Sequence, residues 1–342
     1  MLKKGDIILM KRLFIMVLIA TLAVSLLAGC GSDSTGETTQ PPAPTQSPEE
    51  EEVLKIMIIG NSHSNDTFWL LQNVFADQMP DQEVVLGVMY YSGCSISKHV
   101  KFTTENENVY TYYCNIDGAW KVTAEASMNT GLYDQAWDIV VFQGGRNDAN
   151  NEYNLTGRRA LEQIVKDRVA QPYKMMWQIT WPSPDDPTFF AADYPVQPPA
   201  GWVEYLQTSY NHDTLNQYSI MIDRAKSYLV EDETYEKVIS TGGGVMYAHA
   251  ALGVPQTALW RDYTHLTDYG RLIAAYTFYA QFTGNAVSEI NIDVIPSALR
   301  NKRSSAEGDL IITEEMKQVI IAAANHALEA PWIAPEKPAA AN

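Results

Sequence analysis

Leu54-Lys55-Ile56-Met57-Ile58-Ile59-Gly60-Asn61-Ser62-His63-Ser64 is the stretch on which the fold of this chain turns. A short, Ile-rich apolar run that stops at a glycine reads as a buried strand over 54–59. Ser62 follows directly, where a helix opens. A serine at that point projects its hydroxyl into the crevice beyond the strand. Its own N–H faces the same space, and the helix N-terminus behind it favours developing negative charge. The same placement also suits an ordinary N-cap serine or an anion-binding turn.

On either side the pattern repeats. Val- and Ile-rich runs at 84–90, 139–142, 175–180 and 238–240 read as further strands. Helix-like segments lie near 66–78, 157–170, 214–229, 268–282 and 313–329. Strands alternating with helices predict an α/β fold, a three-layer α/β/α sandwich around a parallel sheet of about five strands, flavodoxin-like in its winding. One domain over 53–332 accommodates it, with a disordered tail at 333–342. Ligands in such sheets bind beyond the carboxyl ends of the strands. Two insertions interrupt the alternation. Residues 99–130 read as a hairpin turning at Asp117-Gly118, and residues 181–210 as a loop rich in proline and aromatics.

At the N-terminus, Lys11 and Arg12 precede an apolar run over 13–27 and then Leu27-Ala28-Gly29-Cys30. A basic start, a short apolar stretch and small residues before a cut describe a signal peptide over 1–29. The cysteine at the cut resembles a lipoprotein signal, in which lipidated Cys30 becomes the mature N-terminus; a plain secretory signal or an uncleaved anchor would share the rest of the pattern. Lys4-Gly5-Asp6 can be encoded as a ribosome-binding site, which points to Met10 as the start of translation. Residues 30–52 are Ser, Thr, Pro, Gly and Glu with little to bury, and so predict a disordered tether. Each of these readings places the domain outside the cytoplasm.

The full chain carries a net charge of −17; removal of 1–29 takes away Lys3, Lys4, Lys11, Arg12 and Asp6 and leaves −20. So acidic a surface repels phosphate backbones, which argues against nucleic acid as a partner and disfavours polyanionic substrates. The membrane is expected as a partner only through the Cys30 lipid. Oligomeric state is not legible. Cys94 and Cys114 remain once Cys30 is lipidated, in a location that permits a disulfide worth about 3 kcal/mol. Two buried thiols are the alternative.

A serine hydroxyl is a weak nucleophile and needs a base, most often a histidine whose second nitrogen is held by a carboxylate. Asp262, three residues before His265 in Trp260-Arg261-Asp262-Tyr263-Thr264-His265, can hold that nitrogen locally. Gly93, after the second strand, and Asn147, after the third, can supply an N–H and a side-chain amide that join the Ser62 N–H around an oxyanion. Both also occur as plain turn residues.

Together, Gly60-Asn61-Ser62, Gly93, Gly145-Arg146-Asn147-Asp148 and Asp262-x-x-His265 resemble the four blocks of the SGNH (GDSL-like) serine hydrolase superfamily, in a bacterial lipoprotein branch. The resemblance spans about 54–284. It implies Ser62 as nucleophile, His265 as base, Asp262 as its orienter, and Ser62, Gly93 and Asn147 as the oxyanion hole. Asn61 stands where the pattern has an aspartate and His63 where it has a leucine, which bears on the substrate more than on the chemistry. His63 adjoins the nucleophile and is placed to touch substrate, but neighbours in a tight turn rarely point the same way, so it is a poor base. No Cys/His/carboxylate cluster has metal-ligand spacing, and neither metal nor cofactor is expected. His99, His212, His249 and His326 read as packing or surface residues.

Trp177, Trp181, Phe189, Phe190, Tyr194, Trp202, Trp260 and Tyr263 fall before or within the strand-end loops. Exposed there, they would suit sugar rings, with Trp181, Trp260 and Tyr263 beside the substrate; buried, they would be core. The expected activity is hydrolysis of small acyl esters, acetyl first, on a glycan or an acylated small molecule, through a Ser-His-Asp acyl-enzyme. A lipase-like esterase for longer chains and a non-catalytic glycan-binding lipoprotein are the rival readings.

Overall fold

The structure, a computed structural model, describes residues 53–116, 118–144, 155–170, 172–291 and 312–336. Seven strands form one sheet in the order β4-β3-β2-β1-β5-β6-β7. They are β1 (Leu54–Gly60), β2 (Val84–Tyr90), β3 (Tyr110–Ile116), β4 (Ala119–Ala126), β5 (Ile139–Gln143), β6 (Lys174–Ile179) and β7 (Lys237–Ser240). The five expected strands are the parallel core, β2-β1-β5-β6-β7. The hairpin of the first insertion adds two more strands antiparallel to the β2 edge. This is the expected flavodoxin-like α/β/α sandwich, carrying an antiparallel extension.

The helices are α1 (Ser62–Gln78), α2 (Ile96–Thr104), α3 (Met128–Leu132), α4 (Leu155–Arg168), α5 (Trp202–Tyr210), α6 (Thr214–Ala225), α7 (Thr241–Ala250), α8 (Gln256–Leu259), α9 (Asp268–Thr283) and α10 (Glu314–Glu329). Alternate strand residues point to opposite faces, so a sheet covered on both sides needs apolar residues at every position. Ile56 and Ile58 of β1 therefore pack with α1, α7, α9 and α10. Met57 and Ile59 pack with α2, α3 and α4.

Two helices lie inside stretches read as a hairpin or loop. The helix α2 precedes the hairpin, and α5 closes the 181–210 insertion. The helix α7 begins Thr241-Gly242-Gly243-Gly244, a sequence with poor helix propensity. Its glycines serve close approach instead: a Cβ on Gly242 would stand 2.2 Å from the Thr180 carbonyl oxygen, and one on Gly244 2.0 Å from Thr277 Oγ1.

Cys94 and Cys114 are not bonded to each other, and both are buried. Cys114 pairs with Gly87 in the middle of β2, whereas Cys94 lies beyond the end of that strand. From Gly87 to Tyr90 alone the strand rises roughly 10 Å, past the span that a disulfide bridges. The disulfide considered for this pair is therefore not formed. Of the histidines expected to pack, His99 is fully buried, its ring parallel to that of Tyr110, and burial pulls its pKa down to about 3.

Candidate active site

The chain leaves β1 for β2 on one side and later returns to β5 on the other, so the winding reverses at β1. The crevice of a doubly wound sheet opens at such a switch point, beyond the strand's carboxyl end. Ser62 sits there, half-buried, at the first position of α1.

Three strand ends are stitched around it. Asn61 caps α1, its Oδ1 accepting the His63 N–H at 3.0 Å. Its Nδ2 donates to the Cys94 carbonyl at 2.9 Å, which ties the Gly93 turn to the Ser62 turn. Its backbone N–H donates at 3.0 Å to Gln143 Oε1, at the end of β5. The same Gln143 oxygen accepts the Ser64 hydroxyl at 2.8 Å. No side chain fits at Gly60, where a Cβ would meet Ser64 Oγ at 2.0 Å. Asn61 explains the departure from the aspartate pattern: a carboxylate has no proton to give to the Cys94 carbonyl.

The second half of the site is the turn before α9. Asp262 Oδ1 accepts the N–H groups of Thr264 and His265 at 2.8 and 2.7 Å. Its Oδ2 accepts from His265 Nδ1 at 2.9 Å. Burial pushes the Asp262 carboxyl upward, but the His265 ring hydrogen bond, the His265 charge and the two N–H donors outweigh it and hold it below the usual carboxylate range. The side chain of Asp262 is 5% exposed and that of His265 is 24% exposed. The carboxylate is thus shielded while the imidazole reaches the crevice, with Nε2 as the nitrogen left to act.

These turns, two hundred positions apart, meet. The rings of His63 and His265 stack with centroids 5.9 Å apart, and Thr264 Oγ1 lies 3.2 Å from His63 Nε2. Among the described residues no hydrogen bond links the Ser62 hydroxyl to His265. Catalytic hydrogen bonds commonly tighten only around a bound substrate.

A buried ion cluster, which the sequence reading did not single out, joins the halves. Asp66, one turn into α1 from Ser62 and 1% exposed, accepts Arg271 Nη2 at 2.6 Å, Arg271 Nε at 2.9 Å and Arg261 Nη1 at 3.2 Å. Its other oxygen accepts the Leu266 N–H at 2.9 Å. Arg261 in turn donates to the Leu266 carbonyl at 2.6 Å. The residue after His265 is thus held at both backbone polar groups. Burial raises the Asp66 carboxyl, but Arg271, Arg261, His265 and the Leu266 N–H overcome it, and its pKa falls. One signal was in view: Arg261 and Arg271 bracket the Asp262-x-x-His265 block, and an aspartate facing core requires such partners.

Several expected substrate contacts are corrected. Trp181 and Trp260 are fully buried. Their indole N–H groups donate to the Thr264 and Pro182 carbonyls at 2.9 and 3.2 Å, bracing the loops rather than lining a rim. His63 is 7% exposed and packs edge-on against Trp181, so it is part of the support. Trp177 and Phe189 are core as well, whereas Phe190, Tyr194, Trp202 and Tyr263 are half-buried. Gly93 occupies the exposed turn after β2 with φ +60°. Asn147 and Cys30 lie outside the described residues. Among the described residues, no group of three or more Cys, His or acidic side chains gathers as a metal site.

The site thus joins a serine at the switch point of a doubly wound sheet to a turn in which a buried aspartate holds a histidine. The family model described as Domain of unknown function (DUF4886) matches residues 55–187. A crystal structure of a DUF4886 family protein from Bacteroides uniformis is 21% identical, with a TM-score of 0.65, covering 83% of this chain and 98% of that one. A putative SGNH hydrolase from Slackia heliotrinireducens is 17% identical at a TM-score of 0.38, over 66% of this chain and 96% of its own. An acetylxylan esterase mutant from Geobacillus stearothermophilus is 13% identical at a TM-score of 0.39, over 69% and 97%. No curated protein matches the chain.

Proposed function

We propose that this protein is an extracytoplasmic serine esterase, anchored by lipid at Cys30, that removes small acyl groups, acetyl first, from carbohydrate. The observation that carries the reading is the His265 imidazole held through Nδ1 by buried Asp262, in a turn pinned to the helix that Ser62 opens. An imidazole fixed in that tautomer is the base a serine hydroxyl needs.

In the first step His265 Nε2 takes the Ser62 proton as Oγ bonds to the ester carbonyl carbon. The carbonyl pair moves onto oxygen, where the Ser62 and Gly93 N–H groups and the Asn147 amide are the proposed donors, each worth about 3 kcal/mol. As the pair returns, the bond to the sugar oxygen breaks and the imidazolium gives that oxygen its proton. Water, deprotonated by the same nitrogen, then cleaves the acyl-serine and releases a carboxylic acid. Asp262 stabilises the imidazolium throughout and keeps its own charge.

The test is hydrolysis of aryl esters of increasing chain length by the protein and by Ser62→Ala. Turnover of acetate that falls with chain length and vanishes in the variant supports the esterase. A preference for long chains would move the reading to a lipase-like enzyme. Equal inertness of both proteins on esters and acetylated glycans would leave a glycan-binding lipoprotein.

A further inference from the structure

Asp66 holds Leu266, the residue after His265. One turn earlier on the same face of α1, His63 reaches Thr264, the residue before it. Donor and acceptor in that second contact follow from Asn61. Its Nδ2 donates to the Cys94 carbonyl, so the other end of the amide is the oxygen, which accepts the His63 N–H. His63 Nδ1 lies 3.2 Å from the same oxygen. An amide oxygen can only accept, so Nδ1 carries a proton. A neutral imidazole has one proton, which leaves a lone pair on Nε2. Thr264 Oγ1, 3.2 Å away, then donates its hydroxyl proton to Nε2.

Thr264 is held at its other polar groups as well. Its N–H donates to Asp262 Oδ1 at 2.8 Å, and its carbonyl accepts the Trp181 indole N–H at 2.9 Å. Trp181 in turn packs edge-on against the His63 ring, 5.2 Å between centroids. His63 and Thr264 are both buried, so bulk water is poorly placed to replace the bond between them.

We propose that His63 is a positioning residue: as a neutral imidazole protonated on Nδ1 it fixes Thr264, and through Thr264 the reach of His265 toward Ser62. This rests on the esterase reading and adds to it a residue outside the triad. Ser62 directly precedes His63, so the bond ties the base to the nucleophile's own turn. Leucine, which the SGNH pattern has at this position, offers no acceptor. A misplacement of about 1 Å costs about a hundredfold in rate. His63 belongs to the support and makes no substrate contact, so its loss falls on kcat rather than on KM.

The experiment is a double-mutant cycle on aryl acetate with His63→Leu and Thr264→Val, joined to nitrogen-15 NMR of the imidazoles in the whole protein. Each single variant lowers kcat about tenfold to a hundredfold and leaves KM within about twofold. The double variant falls no further than the slower single one, because the same bond is lost only once. His63→Gln, whose amide oxygen can stand where Nε2 stood, recovers most of what His63→Leu loses and covers a folding defect in that variant. In the wild type at neutral pH, His63 Nδ1 shows the resonance of a protonated ring nitrogen and Nε2 that of a bare one, and Thr264→Val shifts the Nε2 signal. Losses that multiply in the double variant, a loss carried by KM, or a proton found on Nε2 would each overturn the role of His63 and spare the esterase. Absence of Ser62-dependent hydrolysis on every ester overturns both.

Discussion

Replacing Asp66 with asparagine tests how the site is assembled. The change keeps shape and removes one charge from a side chain that is 1% exposed and accepts four hydrogen bonds, three of them from guanidinium groups. Arg271 would retain Asp268, at 3.0 Å. Arg261, whose side chain is 17% exposed, would keep the Leu266 carbonyl but lose its ion-pair partner. Breaking a buried ion pair from one side costs about 3–5 kcal/mol, because the surviving charge stays desolvated. The expected result in urea unfolding is a loss of that size, with kcat on aryl acetate down at least tenfold as the clamp on Leu266 loosens beside His265. The pH dependence has a definite sign. The folded carboxyl titrates below its unfolded value of about 3.9, so the native state binds the proton less well. Its stabilisation is complete above that value and drains as pH falls toward the lower folded value. The gap between wild type and Asp66→Asn should therefore be widest at neutral pH and narrow on acidification. A stability loss under about 1 kcal/mol with kcat unchanged would refute the reasoning, since exposed pairs behave that way.

Two further outcomes follow from the geometry. Asp262→Asn leaves the turn largely in place but no longer favours the Nδ1-protonated imidazole, and kcat on aryl acetate should fall by about 10³–10⁴ with little change in circular dichroism. Asn61→Asp sets a carboxylate oxygen against the Cys94 carbonyl in place of a donor now at 2.9 Å. The melting curve should report a loss of about 1–3 kcal/mol at neutral pH, and an unchanged curve would show that this bond does not hold the Gly93 turn.

Much of the fold was legible because its signals are local. Strands buried on both faces must be apolar throughout, so β1, β2 and β5 announce themselves by composition, and Gly118 at φ +74° marks the hairpin turn. The helix α7 was not, because Gly242 and Gly244 answer to Thr180 and Thr277, residues distant in sequence. For the site, the residues bearing chemistry stood out as motifs, whereas those that bring the motifs together did not. Asp66 reads as one more polar residue at a helix start until Arg261 and Arg271 arrive beside it. Trp181 and Trp260 read as a rim until their N–H groups are found bonded to backbone carbonyls of opposing loops.

By itself the sequence determined the parallel α/β core, the strand-end position of Ser62 and the local Asp262–His265 pairing, because periodicity and short-range hydrogen bonding depend on near neighbours. Only the tertiary structure decided that the two turns meet, that the cysteines stay apart and which aromatic rings face outward. Those outcomes depend on which distant side chains satisfy a buried charge or fill a given volume, and that is a property of packing rather than of spacing along the chain.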